Sequence, residues 1–427
     1  MKDWEAAAQR LAAGTVIRPE SRWYQSVATT PRHLFVPRWW TRATNGDGEE
    51  VWQLRDGASD TEAWMRDTYA DTTLVTRVGT LHADHAEAGQ TPARGRTGRS
   101  TSSSTLPALI LTMYRAAWIT DSSRLLLTCG SGYGTALACA RLDEKQVTSV
   151  DVDPYLVHAA RKRLAEAGHH PRLEVCDLTG DLPEGTYDRI ISTVSVPAVP
   201  ASWLEALAPG GRLVTTIAET GLVIVADKTS DGGALGHVAP EAAGFMAARH
   251  GDDYDDTFPE NPPLWQTAQH AEGESISTSR YPLMYVPDTW DVRSTLELIV
   301  PGIDHRRHTA DDGTRTVYML HADGSWVRAT AAGRRDSPTV HQGGPRRLWD
   351  ELDRLRTWLA VDGDLPIRGA KVTIAPDGTA TFSRKGWSST LTWTGSPSTQ
   401  PSSRPAPSHT AWLAPKPRRT KLQGDTL

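Results

Sequence analysis

The chain reads as an α/β protein, a doubly wound and mostly parallel sheet followed by a smaller α+β accessory domain. Three observations predict this. The apolar run Leu125-Leu126-Leu127-Thr128 stops in a glycine-rich turn, Cys129-Gly130-Ser131-Gly132-Tyr133-Gly134, and resumes as a helix over 135–142. From 124 to about 226, strand-like and helix-like segments alternate at the spacing of βαβ units. Past about 245 the alternation gives way to hairpins and one amphipathic helix.

Taken in order, residues 1 to about 40 start as an amphipathic helix and become extended at Pro31-Arg32-His33-Leu34-Phe35-Val36-Pro37. Residues 1–82 as a whole read as an N-terminal helical and extended region on the substrate side. Residues 83–100 lack apolar periodicity and carry turn formers, which predicts a mobile loop. A hydroxyl cluster, Ser100 to Thr105, precedes Leu106-Pro107 and a helix over 108–117, with Pro107 at its start. Strands are predicted at 124–128, 147–151, 172–176, 188–193, 212–217 and 222–226, and helices at 135–142, 154–167 and 200–207. Gly168 suits the position just past the 154–167 helix. The core is placed at 101–245. The accessory domain, 265–394, is read with strands at Tyr281–Val286 and Ser294–Val300. It also has hairpins turning on Asp323-Gly324 and Asp377-Gly378, and a helix over 345–359 spaced by Leu348, Leu352, Leu355 and Leu359. Residues 396–427, rich in Pro, Ser, Arg and Lys, are predicted to be a disordered tail.

The 427 residues exceed one ordinary core, so at least two domains are expected. A net charge of −5 argues against a nucleic-acid partner. No run approaches the length of a membrane span and the first residues lack a signal-peptide apolar stretch, so a cytoplasmic protein without a membrane partner is expected. Cys129, Cys139 and Cys176 have neither metal spacing nor a disulfide framework. The sixteen Trp against four Phe read mostly as core filling, with a peptide-binding groove as the alternative. His82/His85 and His305/His308 lie in loop-like contexts, so no metal is assigned.

Ligands of doubly wound sheets bind at the carboxyl ends of the strands. That groups the glycine turn, Asp151, Asp177 and the Thr193–Val196 segment around one crevice. Asp151 closes the second strand, where a ribose would need a hydroxyl acceptor. The structural alternative makes Asp151 a cap of the helix at Pro154 and Asp177 an Asx turn.

These stretches together resemble the protein-L-isoaspartate O-methyltransferase family. Pro31–Pro37 is similar to its N-terminal signature and Asp67-Thr-Tyr69-Ala-Asp71-Thr-Thr-Leu74 to the segment after it. Ser102-Ser103-Ser104 falls at its short Ser/Thr motif, Gly130-Ser131-Gly132-Tyr133 at its cofactor loop, and Tyr187–Thr193 and Leu207–Leu213 at two later motifs. The match runs through about 20–226. Two positions depart: Leu126 stands where the family carries an acidic residue and Thr128 where it carries a glycine. Asp323–Trp326, Gly343–Asp350 and Gly244-Phe245-Met246 resemble an actinobacterial branch found with ribosomally made, modified peptides such as graspetides, lanthipeptides and lasso peptides.

The resemblance implies a Rossmann-like core that binds S-adenosylmethionine through Cys129, Gly130, Ser131, Gly132, Tyr133, Asp151, Val152, Asp177, Leu178 and Thr193. Ser103 and Ser104, with Ser102, would orient the reacting carboxylate; the structural alternative makes them a cap of the helix behind Pro107. The implied reaction methylates an Asp side chain of a pre-modified precursor peptide, and the ester then cyclises to an aspartimide. The alternatives are repair of L-isoaspartyl residues and an inactive scaffold that binds S-adenosylmethionine. Arg306, Arg307, Arg346 and Arg347 are candidate holders of an acidic precursor, against a solvated face.

Overall fold

The computed structural model describes residues 4–16, 18, 20–46, 48–92, 98–251, 262–333, 335–392 and 411–412. One compact unit is built from the described residues of Met1–Thr257 and Val372–Ala380, and a second from those of Phe258–Lys371 and Thr381–Leu391. The accessory domain predicted at 265–394 is therefore not contiguous. The strand Lys371–Ile374 extends the first unit's sheet instead.

The first unit opens with α1 (Trp4–Thr15), α2 (Arg22–Thr29) and α3 (Arg32–Phe35). An antiparallel sheet comes next, which the sequence did not reveal. It comprises β1 (Arg38–Thr44), β2 (Glu50–Asp56), β3 (Leu74–Val78), β4 (Leu81–His82) and β5 (Ser100–Ser104), with α4 (Thr61–Thr68) between β2 and β3. The hydroxyl cluster thus lies in a strand, paired antiparallel with β3. The predicted mobile loop is ordered at its start: Ala83–His85 makes a 3-10 turn, and Asp84 takes the guanidinium of Arg163 at 2.5 Å. Residues 93–97 of that loop lie outside the described residues, as does the predicted tail apart from Ala411–Trp412, which form a short strand.

Behind α5 (Pro107–Ala116) the predicted alternation is observed as β6 (Leu125–Thr128), α6 (Tyr133–Cys139), β7 (Val147–Asp151), α7 (Pro154–Glu166), β8 (Arg172–Val175), β9 (Tyr187–Val196), α8 (Ala201–Ala206), β10 (Leu207–Ile217) and β11 (Leu222–Lys228). An unpredicted β12 (Ala234–Ala242) pairs antiparallel with β11. The order is β12-β11-β10-β9-β6-β7-β8, parallel from β10 to β8. The chain builds outward from β6 through β7 to β8, then returns to place β9 on the other side. The switch point, where such sheets bind ligands, lies between the tips of β6 and β9. Leu125, Leu126, Val147, Val150, Ile190 and Ile191 are buried, as expected of strands covered on both faces.

In the second unit α9 (Pro262–His270) precedes an antiparallel sheet of order β13-β17-β16-β15-β14, formed by β13 (Ser275–Thr278), β14 (Asp304–Thr309), β15 (Arg315–Leu320), β16 (Trp326–Ala331) and β17 (Thr339–Gly343). The Asp323-Gly324 turn joins β15 to β16 as predicted. Two expectations fail. Tyr281–Val286 is not a strand, and Ser294–Val300 forms the second half of α10 (Trp290–Ile299) and its C-cap, Val300. Its β-branched residues masked a helical period: Val292, Leu296 and Ile299 are buried on one face. Ser294 and Thr295 spend their hydroxyls on carbonyls four residues back. The predicted 345–359 helix is α11 (Leu348–Asp362), with Leu348, Leu352 and Leu355 buried. Trp39, Trp40, Trp203, Trp349 and Trp387 are all buried, the core role read for tryptophan. Among the described residues no helix is long and apolar enough to cross a membrane.

Candidate active site

The glycine turn is built for close approach. Gly130 (φ +52°) and Gly132 (φ +91°) adopt left-handed backbone that other residues resist. A Cβ at Gly132 would lie 3.1 Å from Ala160 Cβ and 3.3 Å from Phe35, so this glycine also lets α7 pack against the turn. A Cβ at Gly130 would meet the Ser103 carbonyl at 3.3 Å, which brings β5 to the turn.

Asp151 closes β7 beside it. Its Oδ2 accepts from the Gly130 N–H at 3.0 Å and its Oδ1 from the Asp153 N–H at 3.1 Å. Burial pushes this carboxyl up, and the two N–H bonds pull it back toward ionisation. Asp151 does not cap α7. Asp153 does, accepting from the Tyr155 N–H at 2.9 Å. Val152 is half-buried between them.

Asp153 also anchors a buried cluster that the sequence did not reveal. Its Oδ2 lies 3.0 Å from His82 Nε2, 3.5 Å from Arg77 Nε and 3.7 Å from Arg249 Nη2. Burial opposes its ionisation, but His82, Arg77 and Arg249 outweigh burial and bring it down to about 2. A depressed carboxylate stabilises the fold above its unfolded value near 3.9, and that contribution is lost as pH falls toward 2. Bringing the carboxyl from 3.8 down to about 2 corresponds to about 2 kcal/mol. Asp153→Asn is expected to cost about 3 kcal/mol at pH 7, because the Asp153 carboxylate is lost from a buried cluster with Arg77, His82 and Arg249. Urea unfolding of both proteins should show that gap narrow below pH 4; a gap independent of pH would contradict the assignment.

At the tip of β8, Asp177 Oδ1 accepts from the Thr179 N–H at 2.8 Å, which is an Asx turn, and from its hydroxyl at 2.6 Å. Oδ2 lies 2.8 Å from His250 Nδ1. Burial opposes ionisation here too, and the bonds from Thr179 and His250 outweigh it, holding Asp177 below the usual carboxylate range. Leu178 is buried, with its carbonyl taken by Trp203 Nε1 at 2.7 Å.

At the switch point the hydroxyls of Thr128 and Thr193 are 2.6 Å apart, and the Thr193 N–H donates to Thr128 Oγ1 at 2.8 Å. One of the two unusual positions thus ties β6 to β9, while the other, Leu126, is buried apolar core. Of the predicted Thr193–Val196 lining, Ser195 and Val196 are buried. Ser195 instead holds a strap: it takes Met246 and Ala248 by backbone bonds of 2.8 Å, and its hydroxyl donates to the Phe245 carbonyl at 2.9 Å. The strap continues to Arg249 on Asp153 and His250 on Asp177, crossing the strand tips. Its backbone pairing is irregular, so no period marked it in the sequence.

The three serines separate. Ser102 is buried and bonded to Thr76 at 3.2 Å. Ser103 is half-buried, its carbonyl against Gly130. Ser104 is 1% exposed, and its hydroxyl meets no partner among the described residues. None of them caps α5. That helix start is held by Asp71 Oδ1, which accepts from the Ala108 N–H at 2.9 Å, and by Thr73, which accepts from the Leu106 N–H at 3.1 Å. Arg32 fixes this corner, donating to the carbonyls of Thr68, Ala70, Thr72, Ser104 and Thr105 at 2.7–3.4 Å.

Of the remaining predicted residues, Cys129 and Tyr133 point into the core. Burial pushes the Cys129 thiol far up, and Tyr133 packs its ring against Phe35 and Arg32. Ser131 is buried, its hydroxyl accepting from the Tyr133 N–H at 3.4 Å. Side chains of these three are thus structural, and any ligand contact falls to their backbone. In the second unit Arg306, Arg346 and Arg347 pair with Asp304, Asp323 and Glu274 at 2.7–2.8 Å, so of the four arginines considered for an acidic peptide only Arg307 is loosely held.

The geometry defines a crevice at the switch point of a Rossmann-like sheet. Residues 88–242 match the family model of protein-L-isoaspartate(D-aspartate) O-methyltransferase. Protein-L-isoaspartate O-methyltransferase of Thermococcus onnurineus is 35% identical over 115 residues, covering 26% of this chain and 52% of that protein. Protein-L-isoaspartate O-methyltransferase 1 of an Anaeromyxobacter species is 36% identical over 133 residues, covering 30% and 62%. A solved protein-L-isoaspartate O-methyltransferase aligns over 89% of this chain and 99% of its own with 17% identity and a TM-score of 0.47. A structure so described from Plasmodium falciparum, in complex with S-adenosyl-L-homocysteine, gives 15% identity and a TM-score of 0.39, covering 57% and 98%. The chain carries a protein-L-isoaspartate O-methyltransferase-like domain, and it spans about half to three fifths of the curated relatives it matches.

Proposed function

We propose that this protein is an S-adenosylmethionine-dependent carboxyl O-methyltransferase. Its substrate is an Asp side chain of a ribosomally made, pre-modified peptide, and the ester then closes to an aspartimide. The observation that carries the reading is the left-handed Gly130–Gly132 turn at the end of β6, with the Asp151 carboxylate on the Gly130 N–H and the Ser103 carbonyl of β5 against Gly130. The residues present suit the cofactor: Asp151 and Asp177 offer acceptors for hydroxyl and amino groups, and the glycine turn lets backbone approach. When bound, S-adenosylmethionine supplies an electrophilic methyl group.

The rest of the chemistry asks little of the protein. A carboxylate is ionised at neutral pH, so the chain needs no general base, only positioning and exclusion of water. We assign the Ser104 hydroxyl, which is without a partner among the described residues, to orient that carboxylate, without a cation that would blunt its nucleophilicity. Ser104→Ala is expected to lower kcat/KM by about tenfold while leaving Tm unchanged or slightly raised, since no protein partner is lost. A fall in Tm with kcat/KM unaltered would assign the hydroxyl a structural role instead.

In the second step the amide nitrogen of the following residue attacks the ester carbonyl and expels methanol. This closure is slow and spontaneous, so a variant defective in methyl transfer loses ester and imide together. The three free cysteines suit a reducing compartment, and we place the reaction in the cytoplasm. Repair of L-isoaspartyl residues is the second reading, supported by the names of the curated relatives.

Intact-mass spectrometry separates these readings. The purified chain is given S-adenosylmethionine with either the pre-cyclised peptide of a neighbouring reading frame or a generic L-isoaspartyl peptide. A methyl gain on the first, followed by a net loss of one water, supports Asp methylation. Reaction with the second alone supports repair. Reaction with neither supports a scaffold, with Leu126 and Thr128 as its basis.

A further inference from the structure

The second unit holds a cavity of about 400 Å³ that the methyl-transfer reaction leaves unused. Its walls are the segment from Pro282 to Thr289, the ends of β14 and β15, and one side chain of α11. The lining is cationic: Arg307, Arg315 and Arg356 face a single carboxylate, Asp288. On the antiparallel pair β14–β15, Arg307 lies opposite Val317 and Thr309 opposite Arg315. Arg307 and Arg315 therefore stand on one face of the sheet, a diagonal step apart.

This charge is neutralised only in part from within, by Asp288 at Arg307 and Asp353 at Arg356. Arg307 reaches Asp288 at 3.5 Å with both side chains more than half exposed, a geometry worth little. Arg315 meets no carboxylate among the described residues. Arg356, 9% exposed, donates Nη2 to the Pro282 carbonyl at 2.7 Å. Its Nη1 is buried, makes no hydrogen bond among the described residues and lies 3.7 Å from Asp353 Oδ1. Tyr285 under Arg307 and Tyr281 under Arg356, each 4.7 Å from ring centre to guanidinium, stiffen two of the three forks.

We propose that this cavity is a carboxylate-recognition site for an acidic peptide segment, with an Asp or Glu side chain held between Arg315 and Arg356 and Arg307 at the rim. Planar guanidinium forks match carboxylates in paired hydrogen bonds, and Arg315 has no carboxylate of its own among the described residues. The proposal rests on the peptide-substrate reading and names a second recognition element for that substrate.

The test uses the full chain without S-adenosylmethionine and a fluorescein-labelled decapeptide of alternating Glu and Asp, monitored by fluorescence anisotropy. Wild type should bind saturably, and more weakly as salt rises. The same peptide with Gln and Asn throughout should not bind. Arg315→Ala should weaken binding by about tenfold, and the Arg307→Ala/Arg315→Ala double variant further. Arg315 makes no internal ion pair among the described residues, so both variants should fold, which circular dichroism checks. The proposal is overturned if the wild type shows no saturable binding, if the neutral peptide binds equally, or if the folded double variant binds as tightly as wild type. Methyl transfer by wild type to a short peptide whose only acid is the acceptor is measured separately. Its failure counts against the methyltransferase reading and leaves the binding result intact.

Discussion

Asp151→Asn is expected to weaken S-adenosylmethionine binding by about a hundredfold and to lower kcat/KM at least as much, making it the most damaging single change to the crevice. The reason is geometric. Both carboxylate oxygens already accept backbone N–H groups, Gly130 on one side and Asp153 on the other. An asparagine offers one acceptor and one donor, so its NH2 group must face one of those N–H groups. The glycine turn loses its tether, or Asp153 loses the bond that sets its cap on α7. On the proposed reading the acceptor capacity and charge offered to ribose hydroxyls fall as well, and bonds to a charged acceptor are worth about 1.5–3 kcal/mol each. Titration calorimetry with S-adenosylmethionine checks this on a variant whose melting curve remains cooperative. A dissociation constant within about threefold of wild type would remove Asp151 from the cofactor site. Asp177→Asn should be milder, because Thr179 can still donate to the remaining oxygen and only the His250 contact is at risk.

How far the sequence could be read depends on the kind of signal each element left. The parallel core was legible because its strands are continuous apolar runs and its helices are bounded by glycine and proline; β6, β7 and α7 fall within a few residues of expectation. Asp151 and the glycine turn were legible for the same reason, since chain order alone puts strand-end residues at the crevice. Ser102, Ser103 and Ser104 stood out as a motif, but not as the strand they form. Their alternation is polar on both faces, so nothing in composition marked β5 as a partner of β3. The ion cluster was illegible: the β3–β4 hairpin with Arg77 and His82, Asp153 and Arg249 are three separate segments, and only the folded chain brings them together. In the second unit, β-branched residues in α10 imitated a strand. Arginines in a sequence carry no mark of their partners, and Asp304, Asp323 and Glu274 occupy three of the four considered for a ligand.

Arg32→Ala is expected to destabilise the protein by about 4 kcal/mol, and Arg32→Lys to recover only part of that. The guanidinium is fully buried, and it donates to five carbonyls on two segments, 68–72 and 104–105. Truncation leaves these acceptors without a donor in a place water enters poorly, which is the costly direction of losing a hydrogen bond. Lysine restores the charge but has three donors from one nitrogen and cannot span both segments. Burial works against the charge, lowering the pKa of Arg32, while Tyr133, Asp71 and Tyr69 favour it. The carbonyls supply the remaining compensation that a carboxylate partner would otherwise give. The corner it fixes holds Asp71 and Thr73 at the start of α5 and sets where β5 delivers Ser104. Activity should therefore fall in Arg32→Lys even at temperatures where the chain remains folded, with kcat reduced more than cofactor affinity, because this guanidinium bonds the segments that carry Ser104 and meets the glycine turn only through the Tyr133 ring. Urea denaturation gives the stability change, and single-turnover methyl transfer at saturating cofactor gives the rate. A loss of less than about 1 kcal/mol in Arg32→Ala would mean that the five carbonyls find water or other donors, and that the corner is not held by this side chain.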